Sequence, residues 1–328
     1  MTGLYDSFQR PINYLRISVT DRCNLRCVYC MPDDGICQMS HGDILTYEEI
    51  YTIVQVAAEL GINKVRLTGG EPLVRLGLAE LVQMLEQLDA IDDISLTTNG
   101  TLLSRYALVL KRAGLKRVNI SLDTLRPDRF KYITRGSYGV ADVLGGIDSA
   151  RSAGLSPVKI NVVVMAGIND DEVLDFADKT IGEGWHVRFI EFMPTAGVAY
   201  RPSRFVPVSE IQKRLEQLGE LEPCLPHVGN GPARYFRFPG GRGTVGFISP
   251  VSEHFCFHCN RLRLTADGKL RPCLLSDDEV DLKQPLRSGI SSSGLKQLIA
   301  AAASSKPLRH RLPEGGLPEG RPMTQVGG

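Results

Sequence analysis

The segment "YLRISVTDRCNLRCVYC", residues 14–30, joins a strand-like run to three closely spaced cysteines. Residues 14–20 are rich in β-branched side chains that alternate with polar ones, which predicts a strand. Cys23, Cys27 and Cys30 follow at once in the spacing C-x3-C-x2-C. Because α/β folds hold their active sites in the loops at the carboxyl ends of parallel strands, we expect these thiols in such a loop.

A strand followed by a helix recurs along the first two thirds of the chain. Further strand-like runs lie at residues 64–70, 94–100, 117–123, 158–164 and 187–193. Helix-like stretches separate them, and several end at a glycine, which supplies a left-handed cap. Alternating strands and helices predict a parallel sheet with the helices outside it. We therefore predict an α/β fold, an incomplete (β/α)6 barrel, with an open doubly wound sheet as the alternative.

One face of this predicted sheet is polar on strand after strand. Successive side chains of a strand point to opposite faces, and Arg16, Arg66 and Lys159 all fall opposite the aliphatic positions. Barrels packed for stability fill their lumen with branched apolar residues. The polar face is either exposed to solvent or lines a lumen that accepts an anion. We favour the lumen, because the outer helices need the apolar face.

The alternation of strands and helices stops near residue 220. The chain becomes rich in Gly and Pro, with short strand-like pieces, so we predict a partial barrel over 1–220 and a C-terminal α+β region over 221–328. A helix is expected around residues 294–303. The Pro- and Gly-rich tail that follows has the composition of a mobile segment.

A second group of three cysteines, Cys256, Cys259 and Cys273, lies in this C-terminal region. The stretch between them predicts a hairpin that turns at Asp267-Gly268 and returns Cys273 to the other two. Two guanidiniums lie on one face of the first strand of this hairpin, and two leucines lie on the other. The guanidiniums belong to Arg261 and Arg263, and the leucines are Leu262 and Leu264.

Three chemistries fit such thiols. A structural zinc ion needs four ligands, which Cys37 or His41 could complete in the first group and His254 or His258 in the second. A thiol redox pair leaves Cys23 unexplained. An iron–sulfur cluster held by only three thiolates has one iron left for another ligand, which accounts for the missing fourth cysteine.

Composition argues against several classes of protein. The formal net charge of the 328 residues is +1, so no global field draws the chain to a nucleic acid polymer or a membrane. We see no apolar run of membrane-spanning length and no secretion leader. Eight cysteines without an export signal predict reduced thiols and a cytoplasmic protein.

The first cysteine spacing, Tyr29 before its last member and "GGEP" at 69–72 together resemble the radical S-adenosylmethionine (SAM) superfamily. The second cysteine group with R-L-R inside it, "NGPARYF" at 230–236 and the terminal "GG" are similar, more narrowly, to the GTP 3′,8-cyclase family of molybdenum cofactor biosynthesis. The likeness covers nearly the whole chain.

This resemblance implies two [4Fe–4S] clusters, one on each cysteine group, with SAM as a cofactor. It also implies GTP as substrate, an external electron donor and a homodimer. Reductive cleavage of SAM would give a 5′-deoxyadenosyl radical that removes hydrogen from ribose C3′ of GTP. The carbon radical would then attack C8, and a second electron and a proton would complete the cyclic nucleotide.

Residue roles follow from the same resemblance. The residues implied to contact SAM are Tyr29, Gly70, Ser121 and Met193. Those implied to contact GTP are Arg16, Arg66, Thr97, Lys159, Arg261, Leu262 and Arg263. Those implied to promote the reaction itself are Arg261, Arg263 and the tail glycines Gly327 and Gly328. Two rival functions are another radical SAM enzyme with an auxiliary cluster and a zinc-stabilised binding module without chemistry.

Overall fold

The computed structural model describes residues 3–32, 34–194, 201–225, 229–312 and 318–327. Gly328, to which the resemblance assigns a role, lies outside these ranges. Within them, no helix combines the length and the apolar character needed to cross a bilayer.

Six adjacent parallel strands form the centre of the sheet. They are β1 (Tyr14–Ser18), β2 (Lys64–Thr68), β3 (Asp93–Thr98), β4 (Arg117–Ser121), β5 (Val158–Val164) and β6 (His186–Glu191). All six predicted strands are confirmed. Five of them end two residues earlier than the sequence pattern does, because the last two residues of those runs already belong to the loops at the carboxyl ends.

Helices follow these strands in the predicted alternation. They are α1 (Tyr47–Glu59), α2 (Leu78–Glu86), α3 (Leu103–Arg112), α4 (Pro127–Thr134), α5 (Val140–Ser152), α6 (Val173–Gly182) and α7 (Val208–Leu215). Helix α1 begins with a capping box, in which the Thr46 side chain accepts from Glu49 N–H and the Glu49 carboxylate accepts from Thr46 N–H. Gly61, Gly114 and Gly154 have positive φ angles just after α1, α3 and α5, which confirms the predicted glycine caps.

The C-terminal region extends the same sheet at both edges. Its strands are β7 (Glu222–Cys224), β8 (Arg234–Arg237), β9 (Thr244–Ile248), β10 (Arg261–Leu264), β11 (Lys269–Arg271) and β12 (Val280–Asp281), and its helices are α8 (Lys283–Arg287), α9 (Ser292–Ser304) and α10 (Met323–Val326). Strand β9 pairs in parallel with β6, and β10 pairs in parallel with β1. Among the described strands the order is β12-β11-β10-β1-β2-β3-β4-β5-β6-β9-β8-β7, so the barrel is unclosed. The division of the chain near residue 220 stays a prediction.

Both faces of the sheet are buried, one in an apolar core and the other along a polar lumen. Leu15, Ile17 and Leu67 belong to one apolar core with the inner faces of the helices. On the opposite face Arg66 and Lys159 are only 7% and 4% exposed. The polar face is therefore the lining of a lumen, as predicted, and not a solvent-exposed surface.

Candidate active site

A cavity of about 320 Å³ lies along the polar face of the sheet. All six cysteines of the two groups line it, the first group from the loop after β1 and the second from the segments that flank the β10–β11 hairpin. Between the two groups lie basic side chains from several strands: Arg16, Arg66, Arg117, Lys159, Arg188, Arg261 and Arg263.

The first cysteine group sits in a loop that is fastened to the end of α4. Two backbone hydrogen bonds hold it there, from Arg26 N–H and from Val28 N–H to carbonyls of the last α4 turn. Burial, with the negative charges around them, raises the pKa of Cys23 to about 11 and that of Cys30 to about 12. Thiols in such a site ionise readily only when a cation compensates them, so this donor set fits a cationic metal centre.

The described cysteines do not form a ready-made site for a single metal ion. Among the described residues, no three His, Cys, Asp or Glu side chains converge closely enough to ligate one ion. Zinc requires ligands around one point, whereas a [4Fe–4S] cluster binds each thiolate through a different iron, which spaces the thiols apart. Cys37 and His41, the candidates for a fourth zinc ligand, are exposed.

The "GGEP" motif shapes the carboxyl end of β2. A Cβ on Gly70 would lie 2.4 Å from the Arg22 carbonyl oxygen, so only glycine allows this approach to the cysteine loop. The buried Glu71 carboxylate accepts hydrogen bonds from Thr98 Oγ1 at 2.6 Å and Asn99 N–H at 2.7 Å. Burial raises the pKa of Glu71 to about 7. This motif therefore joins the loops after β2 and β3.

The residues that the resemblance assigns to SAM are brought together at this end. Tyr29, Gly70, Ser121 and Met193 all line the cavity. Tyr29 Oη donates a hydrogen bond of 2.6 Å to Asp123, whose other oxygen accepts from Val163 N–H at 2.8 Å. Burial raises the pKa of Asp123 to about 6.

Strand register places the cations side by side. Arg16 of β1 lies opposite Arg66 of β2 on one side and Arg263 of β10 on the other. Burial lowers the pKa of Arg66 and of Arg263 to about 10 each. Burial, with Arg188 and Arg117 nearby, lowers the pKa of Lys159 to about 7. So much buried positive charge fits a polyanionic ligand.

Polar atoms in the lumen are also left for a ligand. Among the described residues, Thr97 Oγ1 and Asn161 Oδ1 are buried in the cavity wall and have no hydrogen-bond partner. Buried polar groups in native proteins are almost always paired. A polar ligand bound in the lumen would satisfy both atoms.

Two basic residues of the lumen, Arg117 and Arg188, were not predicted from the sequence. Arg117 begins β4 and forms a buried ion pair with Asp93 at the start of β3. Arg188 lies between Val187 and Phe189 on β6, with its guanidinium buried. The alternation that identified Arg16 and Arg66 applies equally to these two strands and could have found both residues.

The predicted hairpin is confirmed. Strands β10 and β11 pair antiparallel, and Gly268 in the turn has a φ of 81°. Burial alone would raise the pKa of Cys259, but the cations of Arg261 and Lys306 outweigh it and lower the pKa to about 6. Leu262, which the resemblance places in a GTP-contacting stretch, buries its side chain in the apolar core opposite Leu15. Its side chain does not face the lumen.

The C-terminal tail, residues 318–327, packs into the lumen beside Arg263. Arg263 Nη1 donates a hydrogen bond of 2.5 Å to the Gly327 carbonyl, and Thr324 and Val326 are buried. This arrangement differs from the mobile tail that composition predicts. The reason is a pair of side-chain contacts, since Arg321 forms ion pairs with Asp267 in the hairpin turn and with Glu279.

Comparison with known proteins agrees with this geometry. A model of the radical SAM superfamily matches residues 17–180, and a model of Molybdenum Cofactor Synthesis C matches residues 185–312. The chain is 54% identical over 325 residues to a GTP 3′,8-cyclase of Moorella thermoacetica, which spans 99% of this chain and 100% of that protein. It is 50% identical over 328 residues to a GTP 3′,8-cyclase of Heliobacterium modesticaldum, with 99% and 100% covered.

Among solved structures, the crystal structure of Streptococcus suis SuiB is similar over 92% of this chain and 68% of that chain, with a TM-score of 0.63. At 13% identity this likeness shows the fold alone. The two alignments to the cyclases each cover 99% of this chain. The chain belongs to the GTP 3′,8-cyclase family within the radical SAM superfamily.

Proposed function

We propose that this protein is a GTP 3′,8-cyclase, which converts GTP to (8S)-3′,8-cyclo-7,8-dihydroguanosine 5′-triphosphate in the first step of molybdopterin biosynthesis. One observation carries the proposal: two groups of three cysteines face one cavity, and buried cations lie between them. The first group suits a radical source, the cations suit a triphosphate, and the second group suits a site that holds the far end of the substrate.

The first group, Cys23, Cys27 and Cys30, would hold the [4Fe–4S] cluster that the superfamily uses together with SAM. When bound and reduced, the cluster would supply the one electron whose transfer to SAM gives methionine and a 5′-deoxyadenosyl radical. Because Gly70 has no side chain, the carboxyl end of β2 can pack directly against the loop that would hold this cluster. Asp123 holds the Tyr29 hydroxyl in place, so this ring is positioned before SAM arrives.

The second group, Cys256, Cys259 and Cys273, would hold a second [4Fe–4S] cluster whose free iron takes the purine of GTP. Charge-assisted hydrogen bonds from arginine to phosphate are strong and fix orientation. The triphosphate is bound by the row of Arg16, Arg66 and Arg263 together with Lys159, Arg188 and Arg261. These contacts hold ribose C3′ toward the first cluster. The Gly327 carbonyl orients Arg263 within that row.

Several further properties belong to this proposal. The enzyme takes electrons from an external donor, forms a homodimer and works in the cytoplasm. None of the eight cysteines, all of which lie in the described ranges, forms a disulfide, in keeping with a reducing compartment. The chain divides into a partial barrel over 1–220 and a C-terminal region over 221–328 that supplies the second cluster and part of the substrate site.

Anaerobic incubation of the reconstituted protein with SAM, reductant and GTP tests the function. We expect 5′-deoxyadenosine and the cyclised nucleotide to form together. Cys27→Ala should abolish SAM cleavage and leave the second cluster in place. Cys259→Ala should still cleave SAM slowly and without coupling, but make no cyclised product.

Other results would point to the rival functions. Deoxyadenosine that forms independently of GTP, with no cyclised nucleotide, would indicate a radical SAM enzyme for another substrate. Colourless, zinc-loaded protein after anaerobic purification would indicate a binding module. Wild-type yields of product from Cys259→Ala would remove the second cluster from the mechanism.

A further inference from the structure

Lys306 reaches from the end of α9 into the segments that carry the second cysteine group. The side chain is buried, and residue exposure is only 4%. Its Nζ donates hydrogen bonds to the Arg261 carbonyl at 2.9 Å and to the Pro272 carbonyl at 2.5 Å. It also hydrogen-bonds the Cys259 side chain. One ammonium group therefore connects the segment after Cys259 with the residue before Cys273.

The chain that follows Lys306 is fixed to Cys256. Arg10, from the N-terminal segment, donates to the Cys256 carbonyl at 2.6 Å and to the Leu308 carbonyl at 2.9 Å. It also donates to the Pro307 carbonyl at 2.7 Å and forms a buried ion pair with Asp6. Hydrogen bonds to backbone carbonyls thus fix Lys306 relative to the segments that carry Cys256, Cys259 and Cys273, without relying on the thiols.

The partners of this ammonium group are unusual for a buried lysine. An ammonium has three donors and no acceptor, and the structure directs them at two backbone carbonyls and a thiol. A buried charge is costly unless it is fully hydrogen-bonded and compensated. Backbone carbonyls hydrogen-bond the ammonium but do not neutralise it. A thiolate-bound, negatively charged centre beside Cys259 would.

We propose that Lys306 is a positioning residue of the second cluster, which holds Cys259 and Cys273 in register and sets the reduction potential of the cluster through its charge. The inference rests on the second cluster of the proposed function. A fixed cation beside a cluster stabilises the more negative, reduced state, and hydrogen bonds to the ligating sulfurs act in the same direction.

The test uses three full-length variants reconstituted in parallel with wild type. Lys306→Met keeps the length of the side chain and removes the charge, whereas Lys306→Arg keeps the charge. Lys296→Met is the matched control, since Lys296 lies on α9 itself, shortly before Lys306, but pairs with Glu59 at the surface. Redox titrations followed by electron paramagnetic resonance distinguish the clusters, because SAM perturbs only the signal of the first.

In Lys306→Met we expect the second cluster to become harder to reduce, with its reduction equilibrium constant lower by about tenfold, which is roughly 59 mV for one electron. A chelator should also remove its iron several-fold faster. The first cluster should be unchanged, and Lys306→Arg and Lys296→Met should behave like wild type. Selective loss of the second cluster in Lys306→Met, with recovery in Lys306→Arg, would equally support the proposal.

Three results would overturn it: a wild-type potential and chelation rate in Lys306→Met, equal defects in Lys306→Met and Lys306→Arg, or loss of both clusters together in Lys306→Met. The last would mean a general packing role. Wild-type protein that takes up only the SAM-sensitive cluster would instead contradict the proposed second cluster, so the two failures are distinguishable.

Discussion

Lys159 illustrates how a single side chain responds to the lumen. Its ammonium is buried on β5, and Arg188 and Arg117 lie near enough to oppose its charge. Burial and these neighbours lower its pKa to about 7, so without ligand the residue loses its charge in the neutral range. A bound polyanion has the reverse effect, because it stabilises the protonated lysine.

Affinity for GTP should therefore fall as pH rises above 7. Binding then requires the uptake of a proton by Lys159, and the dissociation constant should increase by up to about tenfold per pH unit until the pKa of the bound state is reached. Equilibrium dialysis from pH 6 to 9 under anaerobic conditions measures this. Lys159→Arg keeps its charge throughout and should have a flatter profile. Identical slopes in the two proteins would rule out Lys159 as the titrating group.

At the level of single residues, the sequence best predicted which side chains share a face of the sheet, because strand alternation determines this. Alternation predicted that Arg16, Arg66 and Lys159 share one polar face of the sheet, and the need of the outer helices for the apolar face predicted that this polar face lines a lumen. It could not predict that Tyr29 donates to Asp123 or that Arg117 pairs with Asp93, because such contacts depend on how neighbouring strands and loops are aligned. Periodicity within one strand determines which side chains share a face, but it does not determine which residues of neighbouring strands and loops lie opposite them.

At the scale of elements, α10 shows where composition misleads. Its segment is rich in Pro and Gly, yet Arg321 anchors it to Asp267 and Glu279, and the helix ends at Gly327 with a φ of 70°. A Cβ on Gly327 would lie 2.2 Å from Thr68 Oγ1 at the end of β2. The tail can approach the sheet only because this residue has no side chain.

Gly327→Ala should displace the tail from the lumen. The substitution combines the clash with Thr68 and a left-handed backbone, which alone costs about 1–2 kcal/mol for a residue with a Cβ. We expect cyclisation to fall at least tenfold, a factor of ten being about 1.4 kcal/mol of activation free energy, with iron content unchanged. Single-turnover assays of the cyclised product measure this.

Gly289→Ala is the matched control for this substitution. Gly289 has a φ of 78°, but a Cβ there would meet nothing within 4 Å. The backbone penalty is the same and the clash is absent, so this variant should lose some thermal stability and keep its activity. Normal cyclisation by Gly327→Ala would show that the tail glycine has no part in the reaction.

At the scale of the whole molecule, the sheet joins parts of the chain that the sequence pattern separates. Residues Tyr14–Ile17 of β1 pair with Arg261–Leu264 of β10, and β6 pairs with β9. The end of the strand–helix alternation near residue 220 predicts a separate C-terminal region, and that division stays a prediction. The sequence pattern did not predict that this region would pair with both edges of the barrel, because parallel pairing between strands distant in sequence has no local sequence signal.

A chain cut after residue 220 should therefore not fold as a functional half. Removing β9 and β10 exposes the hydrogen-bonding edges of β1 and β6, and an unprotected edge promotes aggregation. It also removes Arg261 and Arg263 from the lumen and uncovers the apolar core beneath α9. We expect residues 1–220 to be mostly insoluble on expression, and the soluble remainder to bind little iron. Sedimentation and iron content, compared with the full chain purified in parallel, measure this. A soluble, monomeric 1–220 fragment that takes up one SAM-sensitive cluster would contradict this prediction. It would show that the partial barrel folds independently and that the β1–β10 and β6–β9 pairs only attach the C-terminal region to it.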